Sequence, residues 1–402
     1  MRVNATLCIC DAPARAMLQC FSQFNGHFGC GFCYHPGERV QKGSGSVQVY
    51  PMTTLYPLRT SHKTLQQAEQ AVLSKQTVQG VKGASMLNLL PNFDIVCCVV
   101  PDYMHCVLLG VVRQFVGLWT DSTSHNMTFY IRNIQAFDEL LKSIKPPDEI
   151  HRLPRAICDR KFWKASEYIL IYSPVILKSF LPKRYFTHWL LLCNGVRLLL
   201  QSTVTATMIA TSRNCFNKFI TLVPDLYDVM HVTYNVHILC HLPDSVQNWG
   251  PLWSHSAFVY EDAVGFLKKT YHGSQLVPKQ LFKYFTAWSK LQSYSRLLLD
   301  TETPVKSCTI IFSLLNVCSI FQPCNFVGLH KSDPSCVTEP KRSLLRTFLA
   351  DDESAALTFE SFDRFLIKDK LFSTKSYANR YRKNNSFVLL SNGCFADIDC
   401  CV

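Results

Sequence analysis

The sequence predicts an α+β fold that is mostly helical, and three observations point to it. Hydrophobic residues make up 48% of the 402 and charged ones only 17%, enough to bury a sizeable core and too apolar for general disorder. A run rich in β-branched and cysteine residues, Val3 to Cys10, ends in an acid, and Pro13 follows where the first turn of a helix would accept it. Longer segments further on are apolar on every side or rich in helix formers, as buried helices are. By length the chain holds about two to three domain-sized units.

Along the chain, the Val3–Cys10 strand and the helix opened by Asp11-Ala-Pro-Ala lead into a turn region rich in Gly and Cys, Phe24 to Gly37. A Gly/Ser-rich loop spans Gln41 to Ser46. Good helix formers fill Thr64 to Ser74, and Gly80 to Gly83 turns the chain. Ile95 to Val100 reads as a strand, and Pro101 to Trp119 as a helix buried on all faces. Pro-containing loops at Lys145–Asp148 and His151–Pro154 precede a helical middle, Phe162 to Val223. From Val229 a helix carries His231, His237 and His241; a Pro/Gly turn at Asn248–Trp253 follows, then another helix starting near Ser256. After Gln275 come a helix, an apolar cysteine-containing segment and a mixed tail with strand-like pieces such as Ser386–Leu390. These boundaries give six segments: 1–29, 30–92, 93–120, 121–228, 229–300 and 301–402.

The net charge of +12, from 41 basic against 29 acidic residues, favours a polyanionic partner, nucleic acid before a membrane surface. The 19 cysteines are an odd number, unevenly spaced, with no secretory leader ahead of them. A reducing, intracellular setting is expected, nuclear or cytoplasmic. Two greasy stretches fall short of a membrane span: Arg197 interrupts Trp189–Ile209, while Asn316, Gln322, Pro323 and Asn325 interrupt Thr309–Leu329.

Four constellations could carry chemistry. On the helix around Glu261, a step of about 100° per residue puts Glu261, Gly265, Lys268 and His272 in one sector, with Val259, Ala263, Phe266, Leu267 and Thr270 opposite. One face should pack and the other present a carboxylate beside cations, although a solvated amphipathic face gives the same pattern. Asp11, at a strand end, could face that helix-borne acid across Mg²⁺, or simply cap the following helix. Asp102 and His105 could share a hydrogen bond that fixes the imidazole tautomer, or Asp102 could be a plain cap. Cys30-Gly-Phe-Cys33 with His35 is half of a tetrahedral Zn²⁺ site. Its remaining ligands would come from His62, Cys97, Cys98, Cys106, His237, Cys240 or His241. Cys–His and Ser–His–Asp nucleophile arrangements have no local signature.

Taken in order, the motifs Asp11-Ala-Pro-Ala, Phe24-Asn-Gly, Gly29-Cys-Gly-Phe-Cys33, Val81-Lys-Gly, Pro101-Asp-Tyr-Met-His105, His151-Arg-Leu-Pro-Arg155, Trp163-Lys-Ala-Ser-Glu167, Asn235-Val-His237 with His241, and Gly250-Pro-Leu-Trp followed by Glu261 resemble the catalytic region of CACTA (En/Spm-type) DNA transposases. The resemblance runs from Asp11 to His272. It implies a ribonuclease-H-like core with a DDE acid triad that holds two Mg²⁺ ions and cuts and joins transposon ends. On it, Asp11 matches the second acid, Asp102 and His105 match the Asp-x-x-His element, and Glu261 matches the third acid. The span between Asp102 and Glu261 would be a long helical insertion.

If Asp11 is the second acid, the resemblance places the first acid and its strands ahead of Met1, leaving the core incomplete. A sheet edge would then be open to other chains, so a homo-oligomer is one way to close it. Another alignment makes Asp11 the first acid and Asp94 or Asp102 the second. The functional expectation is a transposon-derived, domesticated protein that binds DNA through Lys268, Lys269, His272 and scattered basic residues without cutting it. The alternatives are an active CACTA-type transposase and a zinc-stabilised protein-interaction module.

Overall fold

A computed structural model of the protein describes residues 5–54, 56–121, 130–145, 156, 167–299, 327–331, 362–367, 370–375, 378, 386–389 and 395–397. Helices dominate and the strands are short, as expected. The His151–Arg155 motif, Trp163–Ser166 and most of the Thr309–Leu329 run lie outside the described residues. The chain divides into two units, residues 1–138 with 157–266, and residues 139–156 with 267–402.

In the first unit, β1 (Cys8–Cys10) hands over to α1 (Ala12–Leu18) at Asp11, whose carboxylate accepts the Ala14 N–H at 2.8 Å. β2 (Glu38–Lys42) and β3 (Gly45–Val49) form an antiparallel hairpin with Lys42 opposite Gly45. The Gln41–Ser46 stretch, expected as a loop, is therefore the tip of a hairpin, with Gly43 supplying φ +58° at the turn. α2 (Ser61–Ser74) starts before the expected Thr64, because the Thr60 hydroxyl caps it by accepting the Lys63 N–H at 3.4 Å.

β4 (Val99–Pro101) lies parallel to β1, Cys8 opposite Val99 and Cys10 opposite Pro101. It is shorter than the expected Ile95–Val100 strand. The Asp94 carboxylate accepts the N–H groups of Val96 (2.8 Å) and Cys97 (2.7 Å), which folds the chain into a turn before it can extend. Among the described residues β1 and β4 pair only with each other. Their register brings the next residues, Asp11 and Asp102, to neighbouring strand ends.

After β4 the chain enters a π-helix, Met104–Val112, which continues into α3 (Arg113–Thr120). As the all-round apolar pattern predicts, it is buried: Val107, Val111, Phe115 and Trp119 are inaccessible to solvent. α4 (Ile134–Ser143), α5 (Glu167–Ile176), α6 (Lys183–Leu199) and α7 (Ala206–Tyr227) make the middle helical, again as expected. Trp119 meets Trp189 of α6 edge-on at 5.0 Å, and Phe115 packs on Phe219 of α7 at 5.3 Å. α6 and α7 approach closely at Gly195, where a Cβ would stand 2.5 Å from the Phe216 ring. Gly195→Ala is expected to cost about 1–2 kcal/mol, the displaced ring outweighing the roughly 1 kcal/mol that Ala gains as a helix former. Denaturant unfolding would show it as a lower midpoint at unchanged slope.

The single helix expected from Val229 is broken into four pieces: a 3₁₀ turn Val229–His231, α8 (Tyr234–Ile238), a 3₁₀ turn Leu239–His241 and α9 (Leu242–Trp249). Thr233 is extended (φ −69°, ψ 169°), so His231 sits on a separate turn from His237 and His241. Gly250, at φ +84°, turns the chain toward α10 (Phe258–Lys269). Here the helical-face expectation fails. Residues of α10 are not buried, and Val259 is 69% exposed. Periodicity gathers apolar side chains on one face, but covering that face takes a neighbour. α10 also ends before His272, which therefore does not share the Glu261 face.

The second unit contains α11 (Val277–Leu299), an antiparallel sheet of β5 (Val327–Lys331), β6 (Phe362–Ile367) and β7 (Lys370–Ser373), and a pair formed by β8 (Phe387–Leu389) and β9 (Phe395–Asp397). The strand-like Ser386–Leu390 is β8. Lys268, Lys269 and His272 belong to this unit and are exposed. Among the described residues no helix is long and apolar enough to cross a membrane.

Candidate metal centre and acid cleft

Two sites take shape in the first unit. The first is built on the Cys-rich turn. Gly29 is required there, since a Cβ would run into the Gln23 carbonyl oxygen and stand 2.8 Å from the Tyr50 hydroxyl. The knuckle is stitched to the segment at 57–59: Tyr34 N–H donates to the Pro57 carbonyl (3.0 Å), Arg59 N–H to that of Phe32 (2.8 Å), and Arg59 Nε to that of Cys30 (2.8 Å). Within the knuckle the Phe32 N–H donates to Cys30 Sγ at 3.4 Å. Two cysteine side chains therefore point the same way, into the protein.

They meet His237 and His241, brought to one face of the α8 turn by their i, i+4 spacing. Cys30 Sγ lies 3.3 Å from His237 Nε2 and 3.5 Å from His241 Nε2; Cys33 Sγ lies 3.4 Å from His237 Nε2; the two Nε2 atoms are 3.3 Å apart. All four ligand atoms fall within 4.8 Å of one another, and all four residues are buried. A tetrahedron with metal–sulfur bonds of about 2.3 Å and metal–nitrogen bonds of about 2.05 Å has S···N edges of about 3.5 Å and N···N edges of about 3.3 Å. The group thus has the donors and the dimensions to hold a metal ion. Tyr50 stacks on the His237 ring at 5.2 Å, and Phe32 covers His241 at 5.3 Å, which fixes both imidazoles.

His35, expected among the ligands, is not one. Its Nε2 donates to the Pro51 carbonyl and its Nδ1 accepts the Gly37 N–H, both at 2.9 Å, so both nitrogens are engaged elsewhere. His62, Cys97, Cys98, Cys106 and Cys240 also lie outside the group. Without a metal the cluster holds its protons unevenly. Burial pushes the Cys30 thiol up, but the hydrogen bond from Cys33 and the nearby His241 and His237 rings overcome this and hold it well below the ordinary thiol range. Cys33 is pushed up, first by its bond to Cys30 and then by burial. Metal binding would displace the remaining protons.

The second site is the acid cleft. Asp102 leaves β4 with a fully buried side chain that accepts the His105 Nδ1–H (2.5 Å), the Ala257 N–H (2.9 Å), the His105 N–H (3.2 Å) and the Met104 N–H (3.4 Å). Both readings of Asp102 therefore hold, since it caps the helix start and orients the imidazole. That orientation turns His105 Nε2 toward Glu261, whose Oε1 is 3.6 Å away. Burial raises the Asp102 carboxyl, but the bonds from His105 and Ala257 outweigh it and set it below the ordinary range. His105 is raised, chiefly by its bond to Asp102, against some burial, with Glu261 and Asp11 adding to the rise. Asp11, Asp102 and His105 line one cleft of about 420 Å³ together with Arg15, Gln48 and Asn235.

Of the four residues expected to converge, Asp11, Asp102 and His105 line this cleft, and Glu261 meets His105 Nε2 without lining it. Their use as a Mg²⁺ site finds no support: among the described residues, Cys30, Cys33, His237 and His241 are the one group of three or more such side chains placed to hold an ion. His105 instead stands among the acids, and its bond to Asp102 favours the protonated ring. Gln48 and Asn235 carried no sequence signal as cleft residues.

A pH dependence follows. His105, with its folded value above 6.5, contributes stability that is fully present below about pH 6.5 and is lost as pH rises through that folded value. By NMR the His105 ring should titrate above 6.5, and Asp102→Asn should bring it down; a ring titrating at or below 6.5 would contradict the Asp102 bond.

No protein-family model matches the sequence, and no curated protein matches it either.

Proposed function

We propose that this chain is a transposase-derived, DNA-binding protein of the CACTA type, with the acid cleft of a DDE enzyme but without its metal-dependent cleavage, stapled by a structural Zn²⁺. The observation that carries the proposal is His105. It joins Asp102, at the end of one strand, to Glu261, on a helix far along the chain, at the cleft where the neighbouring strand delivers Asp11. A ribonuclease-H-like core has its acids on the same kinds of element, and the ordered motifs resemble that family. Two Mg²⁺ ions need carboxylates free to share them. In this cleft Asp102 is spent on backbone and imidazole bonds, and His105 lies against Glu261.

Zinc is the metal that the four-ligand site suits, because two thiolates and two imidazoles in a closed, buried tetrahedron are the donor set and geometry of structural zinc. The +12 charge supplies the attraction for DNA. Lys268 and Lys269, exposed at the end of α10, are the contacts we assign first.

Gel-shift titration tests the binding. Affinity for duplex DNA should fall about tenfold between roughly 50 and 200 mM salt, as two phosphate contacts would give, and the joint Lys268→Ala, Lys269→Ala change should flatten that slope. Incubation of the same DNA with Mg²⁺ or Mn²⁺ should yield no cleavage. Cutting that is lost in Glu261→Ala would establish an active nuclease and overturn this part of the proposal. Absence of any DNA binding at low salt would favour a zinc-stabilised interaction module.

A further inference from the structure

The hairpin of β2 and β3 takes no part in the metal centre, and it reaches the acid cleft only at Val47 and Gln48. Its register sorts the side chains onto two faces. Arg39 opposite Gln48 and Gln41 opposite Ser46 share one face; Glu38 opposite Val49, Val40 opposite Val47 and Lys42 opposite Gly45 share the other. The hairpin is rooted at one end. Val49 and Tyr50 are inaccessible to solvent, the Tyr50 N–H donates to the Val232 carbonyl at 2.9 Å, and the 3₁₀ turn Val229–His231 packs against both strands. From that root it projects outward, and every residue from Gln41 to Ser46 is exposed.

The Arg39 face is polar from tip to root and carries no acid. Its guanidinium is held on that face: Arg39 Nη1 donates to Ser46 Oγ at 3.2 Å, and Nη2 donates to the Asn25 carbonyl at 3.3 Å. The Gln41 amide donates to the Gly43 carbonyl at 2.9 Å, which engages its nitrogen and not its oxygen. Such a row offers little for a protein partner to bury, because large exposed apolar residues, such as Met17 and Leu73 elsewhere in the chain, are absent from the hairpin.

Resting on the DNA-binding reading above, we propose that this hairpin is a β-ribbon that enters the major groove of duplex DNA, where Arg39 and Gln41 contact base edges and Lys42 contacts a phosphate. The dimensions agree. The major groove is about 12 Å wide and admits a two-stranded ribbon. Arg39 and Gln41, two residues apart on an antiparallel strand, are separated by about 6.8 Å, and two base-pair steps span about the same distance. The chemistry agrees as well: a guanidinium fork pairs with guanine O6 and N7, and a glutamine amide pairs with adenine N6 and N7. Charge is complementary to a polyanion, since the one acid of the hairpin, Glu38, lies on the face opposite Arg39 and at the rooted end. Lys268 and Lys269 would supply attraction that is blind to sequence, and the ribbon would supply the choice of site.

Selection of bound duplexes from a randomised pool by the full-length chain tests this. It should return a preferred site with a guanine and an adenine about two steps apart. Arg39→Ala should erase the preference at the guanine and weaken binding to the selected site about tenfold or more, with little change on unrelated DNA; Gln41→Ala should do the same at the adenine. Arg39→Lys keeps the charge and loses the fork, so it should retain non-specific affinity and its salt dependence while losing the guanine. Lys42→Ala should weaken all duplexes alike and lower the salt slope by about one. Methylation of the selected guanine at N7 should block the wild type and make no difference to Arg39→Ala. A wild type that binds duplex DNA without a preferred site, or a preference that survives both Arg39→Ala and Gln41→Ala, overturns the ribbon and leaves the DNA-binding reading standing. A wild type that binds no duplex at low salt overturns both. Should Arg39→Ala melt below the wild type, Arg39→Lys decides in its place.

Discussion

Cys30→Ser, or prolonged treatment with a strong chelator, is expected to lower the melting temperature by roughly 10–20 °C. Structural zinc sites supply apparent binding free energies on the order of 10 kcal/mol. Loss of one thiolate, with serine and water as weak replacements, should remove about half of that. In a unit of this size each kcal/mol corresponds to about 2–4 °C. Metal analysis should find one zinc per chain in the wild type and far less in Cys30→Ser. A protein purified without zinc whose Cys30→Ser variant melts at the wild-type temperature would sink the metal assignment. His35→Ala is the matched control: it should lower stability modestly through the Pro51 and Gly37 bonds and leave the zinc content unchanged.

Asp102→Ala should cost about 3 kcal/mol, or roughly 6–12 °C, with the zinc content intact. The cost arises less from the lost ion pair than from what remains. The Ala257 N–H is buried against Asp102, and without an acceptor it pays the desolvation of an unmet donor. His105, a third exposed, can turn to water instead. The two effects separate by pH. Asp102, with its folded value below 3.8, gives stability that is present above about that pH and lost as pH falls through the folded value. The difference between wild type and Asp102→Ala should therefore shrink in strong acid. A variant equal to wild type at pH 7 would mean that Ala257 has another acceptor.

How far each of these sites could be read in the sequence depends on the separation of its parts. Cys30 and Cys33 are visible because both ligands fit one turn, with Gly29 and Gly31 on either side of Cys30. His237 and His241 stood among seven candidates for the remaining ligands, yet His35 stood closer in sequence and looked as good. What removed it was the bonding of its two nitrogens to Pro51 and Gly37, a matter of local hydrogen bonds that no spacing encodes. Asp102 and His105 were legible as a local pair for the same reason as the cysteines. The Ala257 N–H that completes Asp102 arrives from 155 residues away and left no mark. The face of α10 was misread in the opposite sense. Its apolar spacing is real, but Val259 and Ala263 remain exposed because amphipathicity states which side chains travel together and not what meets them. The hairpin at Gln41–Ser46 was missed because a Gly/Ser-rich composition hides a two-residue turn as easily as it marks a loop.

The group of four metal-ligating side chains also sets a clock. Its two halves are 204 to 211 residues apart, so the ligand pairs cannot meet until His237 and His241 have been synthesised. At about 5–20 residues per second, the Cys30 knuckle waits roughly 10–40 s on the ribosome after its own synthesis. During that interval its two thiols are bare and within reach of oxidants, of other cysteines and of whatever metal arrives first. Cells that delay or starve the second half of the chain should therefore accumulate a nascent species with a reactive N-terminal knuckle, and the helices from α5 to α7 must reach the solvent before the site that will later pin them is able to close.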